Sequence, residues 1–103
     1  MSRVLVQESG GSVRVSEAAL NEVVRRVVES VDGVRLRKGR RRLGVEFEGG
    51  RARAELQLAV AYGRVLPEVC GLVQERVADA LGRMFDVEVD SVDVTVEQLE
   101  RVR

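Results

Sequence analysis

The chain has no histidine and no tryptophan, and among its 103 residues only one cysteine, one proline and three aromatic side chains. Each shortage excludes something. Without histidine there is neither the commonest metal ligand nor the usual proton shuttle near neutral pH, and most hydrolytic and metal-dependent mechanisms lose a member. A single cysteine cannot close an intramolecular disulfide. Three aromatics leave little ring surface on which nucleobases could stack. No apolar run approaches the roughly 20 residues that a membrane-spanning helix needs. Residues 1–11 lack the charged start, apolar middle and small-residue cleavage site of a signal peptide. The expectation is a cytoplasmic protein with no direct membrane span. Its composition, 45% hydrophobic and 33% charged, is that of a soluble domain with one modest core.

Charge is balanced in sum, 17 basic against 17 acidic residues, but not in placement. Arg35, Arg37, Lys38, Arg40, Arg41 and Arg42 form a basic cluster, whereas Asp86, Glu88, Asp90, Asp93, Glu97 and Glu100 make the C-terminal segment acidic. The molecule reads as electrostatically two-ended. Lys38 is the one lysine, and so strong an arginine bias beside many Val, Ala and Gly fits a GC-rich genome as well as it fits phosphate binding.

Residues 1–11 read as a flexible N-terminal tail, with Val4 to Val6 a candidate extra edge strand, and 12–103 as a single α+β domain. A short strand at 12–15 leads to Ser16, well placed as an N-cap, and Glu17 suits the positive end of a helix. Leu20, Val23, Val24, Val27, Val28 and Val31 recur at three- and four-residue steps, which predicts a helix over 17–31 ended by Gly33. Val34 to Arg37 begins a strand that the basic run interrupts. Leu43, Val45 and Phe47 then alternate with Gly44, Glu46 and Glu48, and Gly49-Gly50 can form a two-residue turn. That turn would set Glu48 against Arg51, Phe47 against Ala52, Val45 against Ala54 and Leu43 against Leu56, so every apolar residue meets an apolar one. Ala52, Ala54, Leu56, Leu58, Val60 and Tyr62 share one face of the returning strand, and Tyr62-Gly63 breaks it. Leu66, Val69, Cys70, Val73, Val77, Leu81 and Met84 then mark an amphipathic helix. Val87 and Val89 keep one parity and Val92, Val94 and Val96 the other, which predicts a bulge or turn at Asp90-Ser91. The order β-α-β-β-α-β predicts an α+β two-layer sandwich, with two helices on one face of an antiparallel or mixed sheet.

Chemistry-bearing groups are few. Cys70 sits on the apolar stripe of the second helix with no histidine partner, so it reads as a small buried hydrophobe. Glu46, Glu48, Glu55, Asp86, Glu88, Asp90 and Asp93 could in principle serve acid-base chemistry or a hard cation, but their spacing fits a solvated sheet face and charged strand edges. No catalytic, cofactor or metal residue is assigned, and the protein reads as non-enzymatic with no cofactor. The contact surface for a partner or a phosphate is Arg35, Arg37, Lys38, Arg40, Arg41 and Arg42, six cations within 35–42. The competing reading is a solvated loop whose arginines pair with the acidic C-terminal segment or with a neighbouring subunit. GRRRLG, residues 39–44, matches neither the GXXG clamp nor the G-x-x-x-x-G-K-[ST] phosphate loop.

Taken in order, SVRVSEAALNEVV, VDGV, VAYGRVLPEVCGLVQERVADAL and VDSVDVTVE resemble the bacterial alkaline shock protein family, also described as the envelope stress response family. The likeness runs over about 12–97. Gly33, Gly49, Gly50, Tyr62, Gly63 and Pro67 are its structural signature, with Glu68 and Gln74 beside them. The resemblance implies an adaptor or scaffold of cell-envelope homeostasis or stress response that self-associates and works through protein partners. In some relatives one partner is a membrane-embedded anchor, and others are linked to fatty-acid metabolism. The arginine-rich central loop departs from the family pattern, and a nucleic-acid-binding module using that cluster is the alternative reading.

Overall fold

The computed structural model describes residues 3–8, 11–37 and 43–101, with side chains from Arg14 onward. Lys38, Arg40, Arg41 and Arg42 lie outside the described residues. The chain begins with a hairpin of its own: β1 (Arg3–Glu8), within the segment read as a tail, pairs antiparallel with β2 (Gly11–Ser16). Ser16 closes β2 and caps α1 (Glu17–Glu29), its hydroxyl accepting the Ala19 N–H at 3.1 Å. That bond satisfies one of the helix's orphan donors. Leu20, Val24 and Val28 are the buried stripe. The helix ends at Ser30, earlier than the apolar period predicts. The Ser30 N–H bonds the Arg26 and Val27 carbonyls and its hydroxyl donates to the Val27 carbonyl at 2.6 Å, which satisfies the last carbonyls before Gly33 is reached. Gly33 (φ 79°) instead supplies the left-handed residue of the turn into the sheet.

The long strand β5 (Arg51–Ala61) is the centre of that sheet. Along one side run β3 (Val34–Leu36), opposite its second half, and β4 (Leu43–Glu48), opposite its first half, both antiparallel. Along the other side β6 (Glu88–Glu100) runs parallel over the whole length, so the sheet is mixed. The Arg37 N–H donates to the Gln57 carbonyl at 2.9 Å and Leu43 stands opposite Leu56. The chain therefore leaves and rejoins one sheet edge at neighbouring register positions, and β3 and β4 are a single strand line interrupted by the basic segment. With that line counted once, the order is the expected β-α-β-β-α-β. The first strand of that order, β2, pairs with β1 rather than with the main sheet.

The β4–β5 hairpin has the predicted register residue for residue. Gly49 (φ 57°) and Gly50 (φ 76°) both take the left-handed conformation that a two-residue hairpin turn demands. Ala52, Ala54, Leu56, Leu58 and Val60 are all buried under the helices. Tyr62 does not continue that face. The strand ends at Ala61, the turn through Gly63 (φ 96°) takes over, and Tyr62 is 73% exposed. α2 (Leu66–Phe85) follows, with Pro67 and Glu68 in its first turn, where the missing proline N–H is harmless and a carboxylate meets the positive helix end. Val69, Val73, Val77, Leu81 and Phe85 are its buried stripe. Met84, predicted on that stripe, is 58% exposed. Four-residue steps from Val73 arrive at Phe85, whose ring meets Phe47 with centroids 5.1 Å apart. Asp86 ends the helix in the left-handed conformation.

β6 carries the bulge expected at Asp90, which stands between Val89 (opposite Ala52) and Ser91 (opposite Arg53). A second, unpredicted shift places Glu97 between Val96 (opposite Leu58) and Gln98 (opposite Ala59). The Gln74 amide reaches from α2 to the Val92 carbonyl at 2.9 Å and ties the helix to this strand.

Candidate functional site

Both helices lie on one face of the sheet, so the other is open, and alternation decides what it shows. β5 presents Arg51, Arg53, Glu55 and Gln57 there. Register sets Glu48, Glu46 and Gly44 of β4 on one side of them, and Glu88, Asp93 and Thr95 of β6 on the other.

The open face is clamped at both ends by arginine. At the hairpin end, Arg51 Nε donates to Asp90 Oδ2 at 3.0 Å, a second guanidinium nitrogen contacts the other Asp90 oxygen, and Nη1 reaches Glu88 at 3.2 Å. At the far end, Arg35 holds Glu100 through two parallel bonds of 3.0 and 2.5 Å. This fork-to-fork geometry is the one guanidinium and carboxylate favour. The bridge joins the strands on either side of β5 and crosses its line at Ala59 and Ala61. Only small side chains leave room for that crossing, and Ala59 is 1% exposed although it points away from the helices. The Arg35 hydrogen bonds, with the charges of Arg35 and Arg37, hold the Glu100 carboxyl below its ordinary range against a smaller opposing effect of burial. The Arg51 hydrogen bond does the same for Asp90, helped by the charges of Arg51 and Arg53.

Between the clamps the charges are unmatched. Glu55 and Asp93 are register neighbours, and among the described residues neither has an ion pair or a side-chain hydrogen bond. Gly44 stands on the other side of Glu55, and a Cβ built on it would meet nothing within 4 Å. The result is an open concavity of about 440 Å³ lined by Leu43, Gly44, Glu55, Gln57, Asp93 and Thr95. A second, of about 470 Å³, lies toward the hairpin over Glu46, Glu48, Arg53 and Asp90.

Of the arginine cluster, Arg35 is thus committed to the acidic C-terminal strand, and the Arg37 backbone belongs to the sheet edge. Sequence reasoning named the Arg35–Glu100 kind of pairing without its members, because only the strand register brings residues 35 and 100 together. Cys70 is half-buried on α2 and burial pushes its thiol up, away from the reactive thiolate. Among the described residues no group of three or more His, Cys, Asp or Glu could hold a metal ion, and no helix is long and apolar enough to cross a membrane.

The fold and this face define a two-layer α+β domain whose notable chemistry is surface charge. Two solved structures share the fold. The cadmium form of one MamM CTD variant superposes with a TM-score of 0.52 at 22% identity, over 81% of this chain and 96% of that one. The copper form of another gives 0.49 at 18%, over 85% and 100%. No curated protein matches the chain. The family is shown by sequence: the alkaline shock protein 23 family, with a cell envelope-related function, matches residues 35–101. The chain belongs to that family. The match spans β3 to β6 and includes the arginine cluster, while the quoted SVRVSEAALNEVV motif of β2 and α1 lies outside it.

Proposed function

We propose that the protein is a non-enzymatic adaptor or scaffold of cell-envelope homeostasis, acting through self-association and protein partners. One such partner is a membrane-embedded anchor that would hold this otherwise cytoplasmic chain at the membrane. The observation that carries the reading is the family match over 35–101, which joins a cell envelope-related function to the whole charged sheet. Its physical support is a face that displays Glu55 and Asp93 without cations, beside an edge that carries the cationic segment. Such a surface favours association with charged protein surfaces and sets its on-rate and specificity. Expressed alone, the protein should form a soluble, reversible oligomer that weakens with salt, and immobilised on resin it should retrieve a membrane-linked protein from lysate. A protein monomeric at high concentration and low salt that retrieves none would end the reading. The nucleic-acid alternative keeps five cations of the cluster, since Arg35 faces Glu100. Its signature would be steep salt dependence of binding that is lost in an Arg40→Ala, Arg41→Ala, Arg42→Ala variant.

A further inference from the structure

We infer that the acidic middle of the open sheet face is the docking surface for the arginine segment 38–42 of a second copy of this chain; the inference rests on the self-association proposed above. Three observations converge on it. The first is an electrostatic surplus. Glu55 and Asp93 are like charges held side by side by the ladder, an arrangement that disfavours the pair unless a cation joins it. The arginines nearest in the strands are engaged elsewhere, Arg51 with Asp90 and Glu88, and Arg35 with Glu100.

The second is room. The absence of a side chain at Gly44 leaves the concavity of about 440 Å³ open from the β4 edge inward to both carboxylates. A guanidinium entering there could fork onto a carboxylate in the planar manner that arginine, unlike lysine, allows.

The third is complementarity within one chain. Net charge is zero, so an excess of carboxylates on this face has a counterpart elsewhere, and segment 38–42 carries four of the 17 cations. Its ends are fixed at Arg37, hydrogen-bonded to Gln57, and at Leu43, which lines the same concavity. Each copy thus bears the cationic segment at the rim of its own acidic face. Two copies meeting face to face about a two-fold axis would exchange these contacts reciprocally, the segment of each entering the face of the other.

Reciprocity gives a decisive test by charge exchange, read by sedimentation velocity at low salt. Glu55→Arg with Asp93→Arg makes the face and the segment both positive. Arg40→Glu, Arg41→Glu and Arg42→Glu make both negative. Each variant alone should dissociate, with a dimer Kd raised at least about tenfold, and an equimolar mixture of the two should re-form the dimer because both exchanged contacts then join opposite charges. The milder Glu55→Gln, Asp93→Asn variant should weaken association without disturbing the fold, checked by its melting curve. If wild type dimerises and the variants dimerise equally well, this surface is wrong and self-association stands on another. Variants that dissociate but fail to pair on mixing overturn the inference too, since the segment then acts on its own copy's face. A monomeric wild type removes the self-association reading itself, and this inference with it.

Discussion

The two faces of β5 are built from the same 11 residues and obey opposite rules. Toward the helices stand Ala52, Ala54, Leu56, Leu58 and Val60, each at most 1% exposed. Away from them stand Arg51, Arg53, Glu55 and Gln57, set among charged or small neighbours. The covered face is held by burial and tolerates no gap, while the open face contributes little to stability and is free to vary its charge pattern. Stability and association are therefore separable by side-chain parity along one strand. The sharpest way to break that comparison is Leu58→Ala. Leu58 is fully buried at the centre of the core, and its truncation should cost about 2–5 kcal/mol in urea unfolding. On the open face, Glu55→Gln should stay within about 0.5 kcal/mol of wild type. Equal losses at the two positions would show that the open face is covered in solution.

The comparison sharpens at the turn that feeds β3. Gly33 has φ 79°, its carbonyl accepts the Ala61 N–H at 2.7 Å, and a Cβ there would stand 2.9 Å from an Arg64 guanidinium nitrogen and 3.2 Å from Ala61 Cβ. Gly33→Ala should lose about 2 kcal/mol through left-handed strain and displacement of Arg64 from the Asp32 carbonyl. Gly49→Ala meets nothing within 4 Å and should lose less, from backbone strain alone. A reversed ranking would mean that the close approach at Gly33 is relieved without cost.

One polar contact crosses from the helices to β6, and its removal should be smaller still. Gln74→Leu leaves the carbonyl of the buried Val92 without its amide donor, a loss of about 1 kcal/mol. Hydrogen exchange should quicken in β6 before it does in β4. Unchanged protection there would show that water replaces the amide.

The same parity explains what could be read in advance. Period-two and period-3.6 patterns are imposed by burial, so the covered face, both helices and the hairpin register were legible from residues alone. The register of Leu43 with Leu56 followed because turn geometry and apolar matching agreed independently. Two errors came from extending a period past its physical end. Tyr62 keeps the parity of β5 but falls in the turn, and Met84 fits the helical spacing but yields the core to Phe85, the residue that can reach Phe47. The open face was illegible for a different reason. Which acid faces which arginine depends on the parallel pairing of β5 with β6, joined only through the 20-residue α2, and on a bulge at Glu97 that no side chain announces. The arginine cluster was visible as composition, but Arg35 parted from it only when Glu100 arrived at the other end of the chain.

The arginine clamps predict the smallest effect, and it appears as a slope rather than a level. Glu100 and Asp90 both have carboxyl pKa values lowered in the folded protein by their arginine hydrogen bonds. As pH falls, the unfolded chain takes up each proton first, so each clamp contributes fully above the ordinary carboxylate range and is lost as pH drops through the depressed folded value. Unfolding free energy should therefore decline on acidification from about pH 6 to about pH 3, and Glu100→Gln should flatten that decline. Its cost should be greatest near neutrality and vanish in acid, where wild type has lost the clamp as well. Because both clamps are solvent-accessible, added salt should shrink the difference. A Glu100→Gln curve parallel to wild type across this range would mean that the Arg35 bridge exerts no net pull on folding, and that Ala59 is covered by packing of the arginine stem alone.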